Sequence, residues 1–295
     1  MNLTAGKPYY QKVSYRLLKG LFKDLNIKVG TRQIKVPLVD IAGLHLLHWT
    51  ENWKTQLMSH ALNQRVGAVL DIGVNVGQTL LDYLSVQKPA ARYFGFEPNA
   101  YAVAYVMQLI RMNQLSDIHL VPIGLSNSAG VVSLSMETSS SVFASDASIT
   151  EYQRPDRQLT HMYIPCFRFD DIRQSVGIPQ VAFVKIDVEG AELEVLQGMT
   201  EVLKNDRPLI TCEVLHRDPK YPIDAYQKTI NAMQQLLVSH SYHLLHVVKT
   251  GEQFQLKRVE NFSDKILKVP DVYTECDYLF VPADHDWKLQ QWLMQ

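Results

Sequence analysis

The chain has 295 residues, 46% of them hydrophobic, enough to bury one large α/β core without disulfides or metal staples. Lysine and arginine number 29 against 30 aspartates and glutamates, so no generic electrostatic pull on nucleic acid is expected, although a local basic patch stays open. Cys166, Cys212 and Cys276 are far apart and odd in number, which reads as buried free thiols in a reducing compartment, and no Cys-x-x-Cys pair offers a structural metal site.

The opening residues, M-N-L-T-A-G-K-P-Y-Y, lack the charged-then-apolar layout of a signal peptide. No apolar run approaches the roughly 20 residues that span a bilayer, so a cytoplasmic protein with no membrane span is expected. Residues 1–60 read as an N-terminal accessory region, helical in part. Leu46, Trp49, Trp53 and Leu57 recur there at helical spacing, as in a helix packed on the main domain, with a substrate lid or dimer contact as the alternative. The main domain is expected over 61–285.

Val69 to Gly77, V-L-D-I-G-V-N-V-G, reads as a buried parallel strand breaking into a glycine-bearing turn, followed by a helix from about Gln78 to Ser85. A dinucleotide site needs G-x-G-x-x-G. Here Gly73, Asn75 and Gln78 occupy those positions, and the missing glycines argue against a pyrophosphate. S-adenosyl-L-methionine, which has no phosphate, is less affected. Asn75 tolerates a left-handed backbone and partly stands in for glycine.

Arg92 to Glu97 is the next strand, Asn99 to Leu115 a helix, and Ile118 to Leu125 a third strand. Val131 to Met136 is a further strand candidate, and the Ser/Thr-rich stretch from Thr138 to Thr150 an excursion. Val181 to Asp187, a helix over Ala191 to Lys204, the strand Leu209 to Leu215 and a helix over Asp224 to Ser239 resume the alternation, which means a parallel sheet with right-handed crossovers. Tyr242 to Val248 and Tyr278 to Val281 read as an antiparallel pair closing the sheet. Residues 286–295 form an amphipathic tail with Leu289, Trp292 and Leu293 on one side; an exposed Trp292 would point to a homo-oligomer.

In such a sheet, ligands bind at the carboxyl ends of the strands. Asp71, Asn75, Glu97, Gly124, Ser126, Asp187, Glu189, Glu213 and His216 fall there. Glu97 follows Gly73 by 24 positions, where a carboxylate accepts from a ribose diol. Asp71 either holds the cofactor's amino-acid end or organises the turn. In K-I-D-V-E-G-A-E, alternation puts Lys185 and Asp187 on one side, while Glu189 and Glu192 have the spacing of a helix cap. Glu213 in an apolar run requires a partner or ligand, and His216 offers a base. Asp187, Glu213 and His216 together would suit a divalent metal, but their spacing carries no metal signature.

D-I-G-V-N-V-G at 71–77, F-E-P-N at 96–99, F-D-D-I at 169–172, V-K-I-D-V-E-G-A-E at 184–192 and the Y-L-F-V-P ending at Pro282 together resemble the FkbM family of S-adenosylmethionine-dependent methyltransferases. Val74, where the family often has alanine, and the run before Asp170 depart from its pattern. The resemblance implies a Rossmann-like class I fold whose seven-stranded, mostly parallel sheet has an antiparallel final strand. It implies O-methylation of a sugar, glycan or natural-product hydroxyl. It places Asp71, Gly73, Asn75, Gly77, Glu97, Pro98 and Asn99 around the cofactor, and Gly124, Leu125 and Ser126 near the adenine. Asp187 is then the expected base, assisted by Glu213 or His216, with Lys185 orienting the site. A catalytically silent binding module and an N-methyltransferase are the alternatives; the latter ordinarily shows an Asp/Asn-Pro-Pro-aromatic motif where this chain has I-D-V-E-G.

Overall fold

A computed structural model describes residues 20–39, 42–47, 52–86, 91–137, 159–215, 222–251, 253–262, 276–284 and 286–294. Strands β1 (Asp24–Val29) and β2 (Arg32–Pro37) pair antiparallel about Gly30, whose φ is 58°. The region read as helical in part thus contains a hairpin, because Ile27 and Val29 alternate against Ile34 and Val36 and lie against the main core. Helices α1 (Ala42–Leu47) and α2 (Asn52–Gln64) follow. Leu46 therefore belongs to a different helix from Trp53 and Leu57, all three being buried, and Trp49 lies outside the described residues.

Next come β3 (Ala68–Ile72), α3 (Gln78–Val86), β4 (Tyr93–Phe96), α4 (Ala100–Met112) and β5 (Ile118–Val121). The strand expected over Ile118 to Leu125 stops at Val121. Pro122, without an N–H, cannot extend the ladder, and β6 (Gly124–Leu125) leaves it to join a separate three-stranded sheet with β7 (Gly130–Glu137) and β8 (Leu159–Phe167). The stretch from Thr138 to Thr150 lies outside the described residues. Then follow α5 (Phe169–Val176), β9 (Val181–Ile186), α6 (Glu192–Gly198), a π-helical turn (Val202–Asp206), β10 (Leu209–Glu213) and α7 (Ile223–Ser239). The chain closes with β11 (Tyr242–Thr250), β12 (Gln253–Arg258) and β13 (Asp277–Pro282).

The central sheet runs β12-β11-β13-β10-β9-β3-β4-β5. Its β10, β9, β3, β4 and β5 are mutually parallel, while β13 is antiparallel to both β10 and β11. Seven strands are those expected. The eighth, β12, is an edge hairpin partner of β11 whose Q-F-Q-L-K-R alternation buries Phe254 and Leu256.

Two apolar layers cover the sheet. Val69, Phe183, Leu209 and Leu279 pack with the hairpin, α1, α2, α3 and α4 on one face. Leu70, Ile72, Val184, Ile186 and Ile210 pack with Phe169, α6, the π-turn and α7 on the other. Alternation along β3 and β9 therefore turns Asp71 and Lys185 toward the α2 side.

Residues 286–294 make turns rather than a helix. Trp287 and Leu289 are buried, Leu293 bridges to Leu256, and half-buried Trp292 stacks on Phe254 at 5.4 Å. Trp292 is consequently a packing residue, which removes the reason to read it as an oligomer contact. All three cysteines are free and buried. No helix among the described residues is long and apolar enough to cross a membrane.

Candidate active site

The turn after β3 is held from three sides. Gly73 and Val74 donate their N–H groups to the Phe96 carbonyl, and Asp187 donates its N–H to the Ile72 carbonyl. Gly73 has φ 84°, and a Cβ there would lie 1.8 Å from the Asp187 carbonyl oxygen. The absent side chain makes room for the end of β9. Gly77, at φ 96°, would place a Cβ no closer than 3.5 Å to any neighbour, so backbone conformation alone demands glycine there. Asn75 is left-handed at φ 49°, as its side-chain type allows.

Glu97 ties this turn to the next. Its Oε2 accepts from the Asn75 N–H at 2.7 Å and its Oε1 from the Asn99 N–H at 2.8 Å. Asn99 in turn caps α4 by accepting from the Tyr101 N–H, and Pro98 fixes the link between them. Burial pushes the Glu97 carboxyl up to about 7, against both backbone donors.

Beneath the turn lies a charged triad. Lys185 Nζ is 3.3 Å from Asp71 Oδ1 and 3.4 Å from Asp187 Oδ2, and it donates to the Gly73 carbonyl. Asp71 also accepts from the Tyr93 hydroxyl. Burial raises the Asp71 carboxyl, opposed by Lys185 and Tyr93. Burial alone would lower Lys185, but Asp187 and Asp71 outweigh it and the ammonium is held on. The direction of Lys185 decides the pair, because two carboxylates share its charge. Asp71 has no exposed surface, so of the two roles read from sequence its contacts are those of organising the turn. Asp187 keeps 31% of its side chain exposed and is the member of the triad that reaches solvent.

Asp187 lies one residue beyond the Ile186–Cys212 pair, and Glu213 pairs with Asp277. Three carboxylates therefore stand side by side across β9, β10 and β13. Asp187 first, then burial and Asp277, push the Glu213 carboxyl up to about 8. The Cys276 thiol donates to Glu213 Oε1 at 3.1 Å, and Lys249 pairs with Asp277 at 2.5 Å. A narrow cleft above this row is lined by Trp53, Lys54, Lys185, Asp187, Glu213 and Asp277, among others. Among the described residues no group of three or more His, Cys, Asp or Glu side chains is placed to hold a metal ion; His216 lies outside them.

The other expected site residues have structural contacts. Glu189, at φ 56°, and Gly190, at φ 109°, make the turn after β9, and buried Glu192 accepts from the Gly190 N–H, its carboxyl pushed up to about 7 by burial. Gly124 abuts Cys166 Sγ, Leu125 is in the core, and Ser126 donates its N–H to the Phe167 carbonyl while its own carbonyl lies against Gly198. Tyr93, Asp277, Cys276 and Lys54 were not singled out from sequence. Tyr93 and Asp71 are 22 residues apart, and only the pairing of β3 with β4 brings them together.

A mostly parallel sheet in this order, with a glycine turn after β3 and an acid at the end of β4, defines the Rossmann-like class I methyltransferase fold. The chain belongs to the FkbM methyltransferase family: the Methyltransferase FkbM domain matches residues 71–244, more than half of the sequence. It is 27% identical over 155 residues to the 2-O-methyltransferase NoeI of Sinorhizobium fredii, covering 48% of this chain and 61% of that protein. It is 25% identical over 162 residues to the methyltransferase sdnD of Sordaria araneosa, covering 45% and 60%. The chain thus matches about three fifths of the length of either relative. Among solved structures, the methyltransferase FkbM of Methylobacillus flagellatus aligns at TM-score 0.43 and 17% identity, over 72% of this chain and 43% of that one.

Proposed function

We propose that this protein transfers the methyl group of S-adenosyl-L-methionine to a hydroxyl oxygen of a saccharide or small natural product, residues 61–285 being the methyltransferase unit. The observation that carries the reading is the carboxylate row at the ends of β9, β10 and β13, opening on a cleft next to the Gly73 turn. The name of NoeI, a 2-O-methyltransferase, agrees.

The residues at the turn fit the cofactor. Each Glu97 oxygen spends one acceptor position on a backbone N–H and keeps another for a ribose diol. Asn75 and Gly77 hold the left-handed turn beside it, Asn99 fixes the far side, and Asp71 acts from below through Lys185. When bound, S-adenosylmethionine supplies an electrophilic methyl on a sulfonium. Asp187, anchored by Lys185, is the group placed to accept the proton of an attacking hydroxyl. Glu213, at about 8, holds its proton at pH 7 and can donate a hydrogen bond to a neighbouring acceptor oxygen. Orientation supplies the larger share of acceleration, with effective molarities up to about 10⁵–10⁸ M, and a base adds about 10²–10⁴-fold.

The test is a screen with methyl-labelled S-adenosylmethionine against hydroxylated glycans and small metabolites, with the product's methyl position found by NMR. Label on an oxygen supports the reading. Label on a ring nitrogen overturns O-methylation.

A further inference from the structure

The N-terminal region concentrates positive charge that neither the cleft nor the cofactor turn uses. Residues 1–50 precede the matched FkbM domain and contain eight lysines and arginines against two acids, Asp24 and Asp40, in a chain whose net charge is −1. Such a local excess of one sign marks a surface for a partner of the other.

The hairpin fixes where part of that charge stands. Ile27 and Val29, and across the ladder Ile34 and Val36, lie against the main core, so alternation turns Lys28 and Lys35 to the opposite, outer face. Lys28 pairs with Gln33 and Lys35 with Asn26, which makes the two lysines diagonal neighbours, and the acid on this face is the half-buried Asp24 at its end. Arg32 stands exposed at the turn.

Apolar side chains adjoin these cations. Leu21 is 76% exposed and Phe22 50% exposed, immediately before exposed Lys23. The Leu38 N–H donates to the Lys23 carbonyl at 2.9 Å and so brings Val39, 37% exposed, beside them. In the sequence leading to this point, Lys12, Arg16, Lys19 and Lys23 recur at spacings of four, three and four, with Leu17, Leu18 and Leu21 between them, which is the pattern of a basic amphipathic segment. A nucleic acid would engage the cations and leave Leu21 and Phe22 in water. A protein groove accepts a projecting apolar ridge, whereas these cations lie on the flat face of a two-stranded sheet. A bilayer surface takes both, anionic headgroups meeting the lysines while leucine and phenylalanine enter the boundary below them.

We propose that the outer face of the β1–β2 hairpin, with Leu21 and Phe22 at its end, docks the protein peripherally on an anionic membrane surface. Lys23, Lys28, Arg32 and Lys35 supply the attraction and the two apolar side chains the insertion. The proposal is independent of the chemistry assigned to the cleft.

The test is co-sedimentation of the full chain with vesicles of phosphatidylcholine alone and of phosphatidylcholine mixed with phosphatidylserine, at about 0.15 M salt. Binding to the anionic vesicles and not to the neutral ones is expected. A cation near an anionic surface is worth about fivefold in partitioning, so Lys28→Gln/Lys35→Gln should weaken binding about 25-fold. Leu21→Ser/Phe22→Ser removes the apolar contact while keeping every charge, and should weaken it by about 10-fold or more. All four side chains are exposed, so both variants should melt with the parent chain. No binding of the parent to anionic vesicles, equal binding to neutral ones, or binding that neither variant weakens overturns the proposal. A loss in the lysine variant alone overturns it as well and assigns the face to a soluble polyanion, for which a single-stranded oligonucleotide at the same salt is the probe.

Discussion

Lys185→Met removes the cation on which the site's geometry converges. Lys185 is 6% exposed and faces Asp71, which is fully buried, so the variant leaves a carboxylate without its counter-charge. Breaking a buried pair by removing one partner costs about 3–5 kcal/mol. Methionine fills most of the volume, so cavity formation adds little. The sign of the pH dependence follows from Asp71, whose folded-state carboxyl is already raised by burial and would rise further without Lys185. A group raised in the folded state destabilises it above the unfolded pKa, near 3.8, and the penalty grows until pH passes the folded value. The loss in urea unfolding should therefore be larger at pH 8 than at pH 5. Adding Asp71→Asn should recover part of it, since the amide can still accept from Tyr93. A loss below about 1 kcal/mol, or one equal at both pH values, would refute the buried triad as the keystone of the turn.

Glu97 sets a second pH effect. Its raised carboxyl, about 7, must ionise to accept fully from a diol, so S-adenosylmethionine affinity should fall several-fold from pH 8 to pH 6, with proton release detectable by calorimetry in buffers of different ionisation enthalpy. Affinity independent of pH and buffer would count against the diol contact. The two turn glycines should separate cleanly. Gly73→Ala meets the Asp187 carbonyl at 1.8 Å and should abolish folding or cofactor binding, whereas Gly77→Ala carries only backbone strain of about 1–3 kcal/mol and should lower the melting temperature while keeping binding. Equal behaviour of the two would contradict that packing.

Much of the fold was legible because buried parallel strands announce themselves. A-V-L-D-I, Y-F-G-F, V-A-F-V-K-I and L-I-T-C-E are near-continuous apolar runs interrupted only by Asp71, Lys185, Thr211 and Glu213, and the helices between them carry a 3.6-residue stripe. The half-exposed strands β1, β2, β8 and β12 were missed, since their alternating D-L-N-I-K-V, R-Q-I-K-V-P, L-T-H-M-Y-I-P-C-F and Q-F-Q-L-K-R patterns are short and cut by polar residues or proline. Alternation along β9 correctly brought Lys185 to Asp187, because that relation is local. The pairing of Tyr93 with Asp71, of Asp277 with Glu213, and the reach of Trp53 into the cleft depend on which strands and helices become neighbours. No local spacing encodes those contacts.

The account's central claim is that cofactor binding and proton removal reside in different groups, Glu97 with the Gly73 turn for the first and Asp187 for the second. The direct measurement is Asp187→Asn, with S-adenosylmethionine affinity by calorimetry and turnover on the acceptor found in the screen. The account predicts a dissociation constant within about threefold of the parent and turnover reduced about 10²–10⁴-fold. Normal turnover, or a loss of cofactor binding that accounts for all of the lost activity, would contradict it.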